Sequence, residues 1–251
     1  MPQSIDNIRH DLVLANRILW NQGVVDAFGH VSRRSPLRPD RFLISRSLAP
    51  ASVVHSDIVE LDLEGRNVDP QAPGSYLERF IHSEIYRARP DVQAVVHSHS
   101  PDVLPFTVVK SVPLRCVCHT AGFIGQAAPI FEIRDVRGDA SDMLVRDAAL
   151  GAALATTLGN ASVVLMRGHG STTVGSSIPE AVYQAVYAQV NARVQYQAMQ
   201  LGEVCYLSPG EAAMGSSYDV GVRRSWELWV SQVAPQVSGL LDSAEFPQRR
   251  P

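Results

Sequence analysis

The pentapeptide Val95-Val96-His97-Ser98-His99 constrains this chain more than any other stretch, because an apolar run ends there in two histidines spaced two apart. In an extended strand, residues i and i+2 point to the same side. His97 and His99 are therefore expected to project together from one strand end, as two ligands of one metal ion must. Two ordinary surface histidines give the same pattern, so the motif needs support from the rest of the chain.

Length and charge exclude several classes of function. The 251 residues suffice to bury a sizeable core, and a net charge of −3 gives no sign of a nucleic-acid partner. No stretch reaches the roughly 18 uninterrupted apolar residues of a membrane span, and the first residues lack the features of a signal peptide. The three cysteines, an odd number, favour a reducing compartment, with Cys116 and Cys118 as buried thiols. We expect a cytoplasmic protein with no membrane partner.

Apolar periodicity predicts helices and strands that alternate along the chain. This alternation, without a repeat or a linker, predicts one layered α/β domain over residues 1–251. The predicted helices are 4–22, 76–89, a short one at 101–109, 139–158, 178–203 and a weaker one at 225–233. The predicted strands and extended segments are 30–32, 41–44, 58–63, 93–96, 113–119 and 161–166.

A third histidine supports a metal site. His169 follows the predicted buried strand 161–166 and is flanked by glycines, which leave its imidazole open. Sheet folds bring such strand ends into one crevice, and three neutral imidazoles with an open position suit a catalytic divalent metal. Glu78, near the start of the helix before the histidine strand, is a candidate fourth ligand or acid/base group. A solvent-facing helix glutamate, or a partner for Arg79, is the simpler interpretation of Glu78.

The segment 78–99 resembles the signature segment of the class II aldolase/adducin family. Gly29-His30-Val31-Ser32 resembles that family's first turn, and Arg167-Gly168-His169-Gly170 resembles its distal His-Gly motif. The resemblance implies a three-layer α/β/α sandwich around a mainly antiparallel sheet, and a homotetramer with sites at subunit interfaces. It also implies His97, His99 and His169 as ligands of one divalent metal ion and Glu78 as the acid/base residue.

The chain departs from the sugar-phosphate members of the family at the phosphate-binding positions. His30 replaces an Asn, Ser47-Leu48 replaces a Thr-Gly pair, and Tyr76-Leu77 replaces two serines before the acidic residue. A phosphate cradle needs small residues with free backbone N–H groups. Leu48 and Leu77 would crowd such a cradle, so a phosphorylated sugar is not the expected substrate.

The residues that replace the cradle suit an aromatic acid, and they resemble the aromatic-acid branch of the family, which decarboxylates hydroxylated pyridine and phthalate dicarboxylates. Arginine binds carboxylates with two hydrogen bonds, and an aromatic side chain can wall a ring. Each arginine taken alone fits a surface or intersubunit salt bridge equally well. The expected substrate-binding residues are Arg46, Ser47, Tyr76, Arg115 and Arg167, with His119 as a further carboxylate or catalytic group.

We therefore predict a metal-dependent, non-oxidative decarboxylase of a hydroxylated aromatic or heteroaromatic dicarboxylate. Glu78, or a group that it positions, would protonate the ring carbon, with His30 and His119 as the next candidates. The metal is expected to be Zn²⁺ or Mn²⁺, with Fe²⁺ or Co²⁺ also compatible. Three alternatives stay open: a class II aldolase of a non-phosphorylated hydroxy-carbonyl compound, a non-haem iron oxygenase, and a non-enzymatic adducin-like module.

Overall fold

The computed structural model describes residues 4–216 and 219–241 and has a seven-stranded sheet at its centre. The strand order is β3-β2-β1-β4-β7-β6-β5, and only the β5–β6 pair is parallel. The strands are β1 (His30–Arg34), β2 (Arg41–Ser45), β3 (Ile58–Asp62), β4 (Ala94–Ser98), β5 (Ile130–Phe131), β6 (Val163–Met166) and β7 (Gly170–Gly175).

Helices cover both faces of this sheet. Residues of α1, α6 and α8 form one apolar core with β1, β2 and β4, and residues of α2 and α5 form a second core on the opposite face. The predicted three-layer α/β/α sandwich around a mainly antiparallel sheet is confirmed. The helices are α1 (Ile5–Asn21), α2 (Arg79–Ala88), α3 (Leu104–Val108), α4 (Arg134–Arg137), α5 (Ala148–Leu158), α6 (Ile178–Leu201), α7 (Pro209–Ser216) and α8 (Asp219–Leu241).

Strand β4 lies in the middle of the sheet and carries the histidine motif. Its neighbours β1 and β7 both run antiparallel to it, so that His97 is paired with His30 on one side and with Thr172 on the other. The β6–β7 connection is a tight turn that contains His169, and Gly168 adopts a positive φ of 64° there. The register therefore brings the histidine motif and His169 together at the same end of these central strands.

The observed elements differ from the predicted ones in several places; the last helix, expected over 225–233, extends over Asp219–Leu241. The helix expected over 76–89 begins only at Arg79, because Ser75 pairs in a β-bridge with Arg46 and holds the preceding residues extended. The helix expected over 139–158 begins at Ala148. Asp147 accepts a hydrogen bond from the backbone N–H of Leu150, as a helix N-cap does, so residues 139–147 form a loop.

A further difference is β7, which the sequence analysis did not predict. Its sequence, Gly-Ser-Thr-Thr-Val-Gly, lacks an apolar run, yet all six residues are buried. The threonine hydroxyls find partners inside the fold: Thr173 donates to the carbonyl of Ala181, and Thr172 contacts the sulfur of Met166. Satisfied hydroxyl groups can be buried at little cost, which explains how a polar segment becomes a central strand.

The remaining expectations concern the cysteines and membranes. Cys116 is buried, Cys118 half-buried and Cys205 exposed, and all three are free thiols. Burial raises the pKa of the Cys116 thiol to about 11, as expected for an unreactive buried cysteine. Among the described helices, none combines the length and the apolar character that a membrane crossing requires.

Candidate metal centre

Glu78, His97, His99 and His169 converge at the edge of the sheet. Each offers one ligand atom, and the four atoms lie within 4.8 Å of one another. The Nε2 atoms of His97 and His99 are 3.0 Å apart. Two nitrogens that both bind one zinc ion at ~2.0–2.1 Å lie roughly 3.3 Å apart, so this separation suits a shared ion. The cluster is compatible with a divalent metal site.

Thr172 of β7 holds the orientation of the His97 ring through a contact with Nδ1. Nδ1 of His97 lies 3.3 Å from Oγ1 of Thr172, and that hydroxyl contacts the sulfur of Met166 at 3.6 Å. If the hydroxyl donates to the sulfur, its oxygen accepts from Nδ1–H of His97. The lone pair of Nε2 then faces the cluster, which is the arrangement that metal-bound histidines commonly adopt.

Glu78 occupies the N-cap position of α2, and its two carboxylate oxygens have different surroundings. Oε1 accepts a hydrogen bond of 2.9 Å from the backbone N–H of Val145, in the loop 139–147. Oε2 faces the histidines, at 3.4 Å from Nε2 of His169 and 3.7 Å from Nε2 of His97. The loop therefore aims one oxygen of a buried carboxylate into the cluster.

His169 gives the strongest structural reason for a metal ion. Both of its ring nitrogens are buried, and neither has a hydrogen-bond partner among the described residues. An unsatisfied buried polar atom costs ~1–3 kcal/mol. A cation bound to Nε2 would remove part of this cost, and the other members of the cluster supply the remaining ligands. These residues fit a divalent cation.

The chain approaches the centre closely where glycine stands next to a histidine. A Cβ atom on Gly170 would lie 2.1 Å from the carbonyl oxygen of Ser98 and 3.1 Å from Cδ2 of His99. A Cβ atom on Gly29 would lie 3.0 Å from the carbonyl oxygen of His97, and Gly29 has a positive φ of 101°. The flanking glycines therefore allow β1 and β7 to pack against the histidine motif.

A cavity of about 470 Å³ opens beside the cluster. Among the described residues, no Arg or Lys side chain lines it. Its walls are mostly apolar, with hydroxyl, imidazole and carboxylate groups at one side. The lining residues are Ala27, Phe28, Gly29, His30, Ser47, Leu48, Ala49, Tyr76, Leu77, Glu78, His97, His99 and Leu144.

The environment of the centre favours the neutral form of His97, His99 and the adjacent His30. Burial lowers the pKa of His97 well below its usual value, and the neighbouring histidines, His169 first, lower it further. The pKa of His30 is lowered in the same way, by burial first and by His82 second. Burial also lowers the pKa of His99, followed by His169, against the opposing effect of Glu78. Neutral imidazole is the form that binds metal, so this electrostatic setting favours metal uptake.

Four of the predicted catalytic and substrate-binding residues line the cavity: Glu78, His30, Ser47 and Tyr76. The hydroxyl of Tyr76 donates to the carbonyl of Leu48 at 2.7 Å and lies 2.8 Å from the hydroxyl of Ser45, and burial raises its pKa. Arg46 adjoins this wall in sequence, but its guanidinium forms an ion pair of 2.6 Å with Asp57.

The other predicted binding residues have partners elsewhere in the subunit. The Arg115 guanidinium lies 3.9 Å from the ring centre of Tyr206, and Arg167 forms an ion pair with Glu132. Hydrogen bonds from Arg134 and then Arg167 lower the pKa of Glu132 to about 2. His119 is exposed and lines a separate cavity with α7. None of the three lines the cavity beside the histidines.

The sequence analysis did not predict three residues that hold site side chains in place. His82 contacts His30, Thr172 contacts His97, and Val145 donates a hydrogen bond to Glu78. His82 is fully buried, and its Nε2 lies 2.6 Å from Nδ1 of His30. One sequence signal was available for His82, which is a polar residue within the buried stripe that Ile81 and Ile85 form on α2. Thr172 and Val145 act through strand register and loop geometry, which a single sequence does not reveal.

A scan against family models matches residues 10–196 to the class II aldolase and adducin N-terminal domain. This match covers well over half of the chain. Among solved structures, an aldolase II superfamily protein from Pseudomonas syringae superposes with a TM-score of 0.76, at 23% identity, over 93% of this chain and 95% of that one.

Two curated relatives are more similar in sequence. Decarboxylase tropJ of Talaromyces stipitatus is 42% identical over 240 residues, which covers 86% of this chain and 90% of the relative. The 3,4-dihydroxyphthalate decarboxylase of Arthrobacter keyseri is 31% identical over 209 residues, which covers 77% and 79%. With the family match over residues 10–196, these similarities show that the chain belongs to the class II aldolase and adducin family.

Proposed function

We propose that this protein is a metal-dependent, non-oxidative decarboxylase of a hydroxylated aromatic or heteroaromatic dicarboxylate. One observation carries the proposal: the Glu78 and three-histidine cluster opens directly onto a cavity with apolar walls. Phe28, Leu48 and Leu77 are among the residues of these walls, so a flat ring suits the space better than a hydrated sugar.

The two curated relatives support the carboxy-lyase class of this proposal. Both are named decarboxylases, and the name of the second specifies a hydroxylated aromatic dicarboxylate. Leu48 and Leu77 stand where the sugar-phosphate members of the family need small phosphate-binding residues, and both line the cavity. A carbon–carbon lyase that acts on an aromatic acid is consistent with both observations.

His97, His99 and His169 are the proposed metal ligands. Zn²⁺ and Mn²⁺ are our first choices, and Fe²⁺ or Co²⁺ would also suit three imidazoles and a carboxylate. When bound, the cation would supply a Lewis-acid centre for negative charge that develops on a substrate oxygen. The unsatisfied nitrogens of His169 support the presence of such an ion.

The reaction needs a route for one electron pair and two protons. The ring carbon that bears the carboxylate takes up one proton, while the neighbouring ring hydroxyl gives up its proton and becomes a carbonyl. The bond to the carboxylate then breaks, its electron pair passes to the oxygen of that carbonyl and restores the aromatic ring, and carbon dioxide leaves; the oxygen takes up the second proton. Glu78 is the proposed donor to the ring carbon, because Val145 holds Oε1 while Oε2 faces the centre, where it can carry the proton. His30 and His119 are the next candidates.

Binding of the carboxylates is assigned to groups in and around the cavity. Ser47 and Tyr76 line it, and Arg46 adjoins them, although Arg46 must share its charge with Asp57. For Arg115, Arg167 and His119, a role in substrate binding rests only on the resemblance to the family. The same resemblance implies a homotetramer with sites near subunit interfaces, and we propose that it is cytoplasmic. The interpretation of residues 1–251 as one domain also stays a prediction.

Metal analysis combined with a screen of ortho-hydroxy aromatic acids tests the proposed function. We expect the Zn²⁺- or Mn²⁺-loaded protein to release one equivalent of carbon dioxide per substrate molecule without consuming dioxygen. Cleavage of a hydroxy ketone with no release of carbon dioxide would identify an aldolase instead. Turnover that requires dioxygen would identify an oxygenase, and either result would overturn the proposal.

A further inference from the structure

Behind the cavity, four polar side chains form a continuous row of hydrogen bonds. The hydroxyl of Tyr86 lies 2.8 Å from Oγ of Ser32, and that oxygen lies 2.6 Å from Nδ1 of His82. Nε2 of His82 in turn lies 2.6 Å from Nδ1 of His30. All four residues are buried, and His30 lines the cavity at the end of the row.

Only one order of donors and acceptors along this row gives every proton an acceptor. Ser32 is the sole hydrogen-bond partner of the Tyr86 hydroxyl within the described part of the chain. The Tyr86 proton must therefore go to Oγ of Ser32, since in the opposite direction it would be buried with no acceptor, at a cost of ~1–3 kcal/mol. Burial raises the pKa of Tyr86, so the hydroxyl keeps this proton.

The direction set at Tyr86 passes along the row. With its oxygen accepting from Tyr86, Ser32 donates its own proton to Nδ1 of His82. Nδ1 of a neutral His82 is then the acceptor, so its proton is on Nε2 and is donated to Nδ1 of His30. A neutral His30 that accepts at Nδ1 must carry its own proton on Nε2, the remaining ring nitrogen.

We propose that Tyr86, Ser32 and His82 lock His30 as a hydrogen-bond donor, with its Nε2–H available to a carboxylate or phenolate oxygen in the cavity. His82 is a positioning residue that acts through His30. The direction of the row follows from the hydrogen-bond geometry together with the neutral state of its two buried histidines. The choice of an aromatic acid as the ligand rests on the proposed function.

Such a donor would be useful because it is fixed before the substrate binds. The His30 ring also packs near the rings of Tyr76 and His97, at centre-to-centre distances of 4.6 and 5.0 Å, and these contacts restrict its rotation. A preorganised N–H group binds an oxyanion without paying for its own reorientation. The cavity has no described Arg or Lys side chain in its lining, so a fixed neutral donor supplies directional recognition there.

Nitrogen NMR of protein labelled with ¹⁵N-histidine tests the direction of the row without any substrate. We expect His30 to show a protonated, pyrrole-type Nε2 and an unprotonated, pyridine-type Nδ1, both in metal-free and in Zn²⁺-loaded protein. The His30 signals are assigned as those that His30→Gln removes. A protonated Nδ1 on His30 would overturn the proposal, whatever reaction the enzyme catalyses.

Calorimetric binding of 2-hydroxybenzoate to the Zn²⁺-loaded protein tests the role of His82. Loss of a hydrogen bond to a charged group costs ~1.5–3 kcal/mol, so His30→Phe should weaken binding roughly ten- to hundredfold. His30→Gln, which keeps an N–H group near the Nε2 position, should weaken it less. His82→Phe should weaken binding about three- to tenfold, because the donor remains but is no longer held.

The double variant separates positioning from a general structural effect. If His82 acts through His30, adding His82→Phe to His30→Phe should leave the affinity of the single His30 variant unchanged. A further loss of affinity in the double variant would overturn the positioning role, as would unchanged affinity in both single variants.

Ser83→Ala is the matched control, because Ser83 is next to His82, and its buried hydroxyl has no partner among the described residues. It should bind as the unmodified protein does. Ser32→Ala is a milder second variant in case His82→Phe does not fold, and it should weaken binding in the same direction. Failure to release carbon dioxide with a correct His30 tautomer would refute the proposed function alone.

Discussion

At the scale of single residues, the three histidines are held by different surroundings, which makes their individual replacement informative. His97 is braced by Thr172, whereas neither ring nitrogen of His169 has a hydrogen-bond partner among the described residues. Replacing His97, His99 or His169 by Ala should deplete bound metal and abolish activity while the fold survives. Metal content by mass spectrometry and far-ultraviolet circular dichroism measure both effects. Full metal occupancy in His169→Ala would refute its assignment as a ligand.

Glu78→Gln tests the second residue-scale role. Glutamine can still accept the hydrogen bond from Val145 but cannot deliver a proton, so we expect retained metal and a ~10²–10⁴-fold loss of kcat. Steady-state kinetics with parallel metal analysis measure this. Near-normal turnover would move the acid/base role to His30 or His119, and loss of metal would make Glu78 a ligand instead.

His82 should make the stability of the metal-free protein depend on pH. Burial lowers the pKa of His82 to about 3 in the folded state, whereas the unfolded chain takes up a proton near pH 6.5. Acidification below pH ~6.5 therefore favours unfolding, by about 1.4 kcal/mol per pH unit for this residue. The unfolding free energies of His82→Phe and of the unmodified protein are measured in urea at about pH 6 and 5. The change of the unfolding free energy per pH unit should be smaller in His82→Phe by about this amount. An unchanged slope would contradict the buried neutral state of His82.

At the scale of elements, the contact between α2 and α5 depends on Gly151. A Cβ atom on Gly151 would lie 2.4 Å from the carbonyl oxygen of Phe80 and 2.8 Å from Cγ of Glu84. Glycine to alanine in a helix ordinarily stabilises by roughly 0.5–1 kcal/mol. Here we expect Gly151→Ala to destabilise instead, by about 1–3 kcal/mol, because the two helices must separate.

Gly210→Ala is the control for this prediction. Gly210 lies in α7, and a Cβ atom there would meet nothing within 4 Å. This variant should be neutral or slightly stabilising. Denaturant unfolding compares the two, and equal effects would show that backbone entropy, and not the helix contact, governs position 151.

How much of each element the sequence predicted depends on where its stabilisation comes from. The residues of α1, α6, β4 and β6 carry their own apolar pattern, and these elements were predicted. Strand β7 is central because β4 and β6 enclose it, and its threonine hydroxyls find their partners in β6 and α6, at Met166 and Ala181. The loop 139–147 reads as helix until Asp147 is seen to cap α5. Local patterns therefore predicted that the histidines lie at strand ends, and Glu78 was placed with them by the family resemblance. The supporting contacts of His82, Thr172 and Val145 arise only from the assembled fold.

At the scale of the whole molecule, the arginines expected to bind substrate raise a question of assembly. Ser47 lines the cavity of its own subunit, and Arg46 adjoins it. Arg115 stacks on Tyr206 and does not line that cavity. If Arg115 holds the second carboxylate, it is expected to do so in the cavity of a neighbouring subunit of the proposed tetramer.

Arg46→Met and Arg115→Met should each raise KM for a dicarboxylic substrate more than for a monocarboxylic analogue. Losing a charged hydrogen bond of ~1.5–3 kcal/mol corresponds to a roughly ten- to hundredfold increase. Steady-state kinetics on both substrates measure the difference. An equal loss on both substrates would mean that the arginine stabilises the assembly and does not read the substrate.

Mixed assemblies distinguish action within a subunit from action between subunits. Co-expressing Arg115→Met with His97→Ala should restore the low KM in roughly a quarter of the cavities by random assortment, because an intact metal site can then meet an intact Arg115 of the partner subunit. Arg46→Met mixed with His97→Ala should restore nothing, since Arg46 and the metal ligands of one cavity belong to the same chain. The activity of the two mixtures is compared at a substrate concentration below the KM of the unmodified enzyme. Higher activity of the Arg115 mixture would show that Arg115 acts in the cavity of a neighbouring subunit. If the Arg115 mixture recovers no more than the Arg46 mixture does, Arg115 acts in its own subunit or not at all.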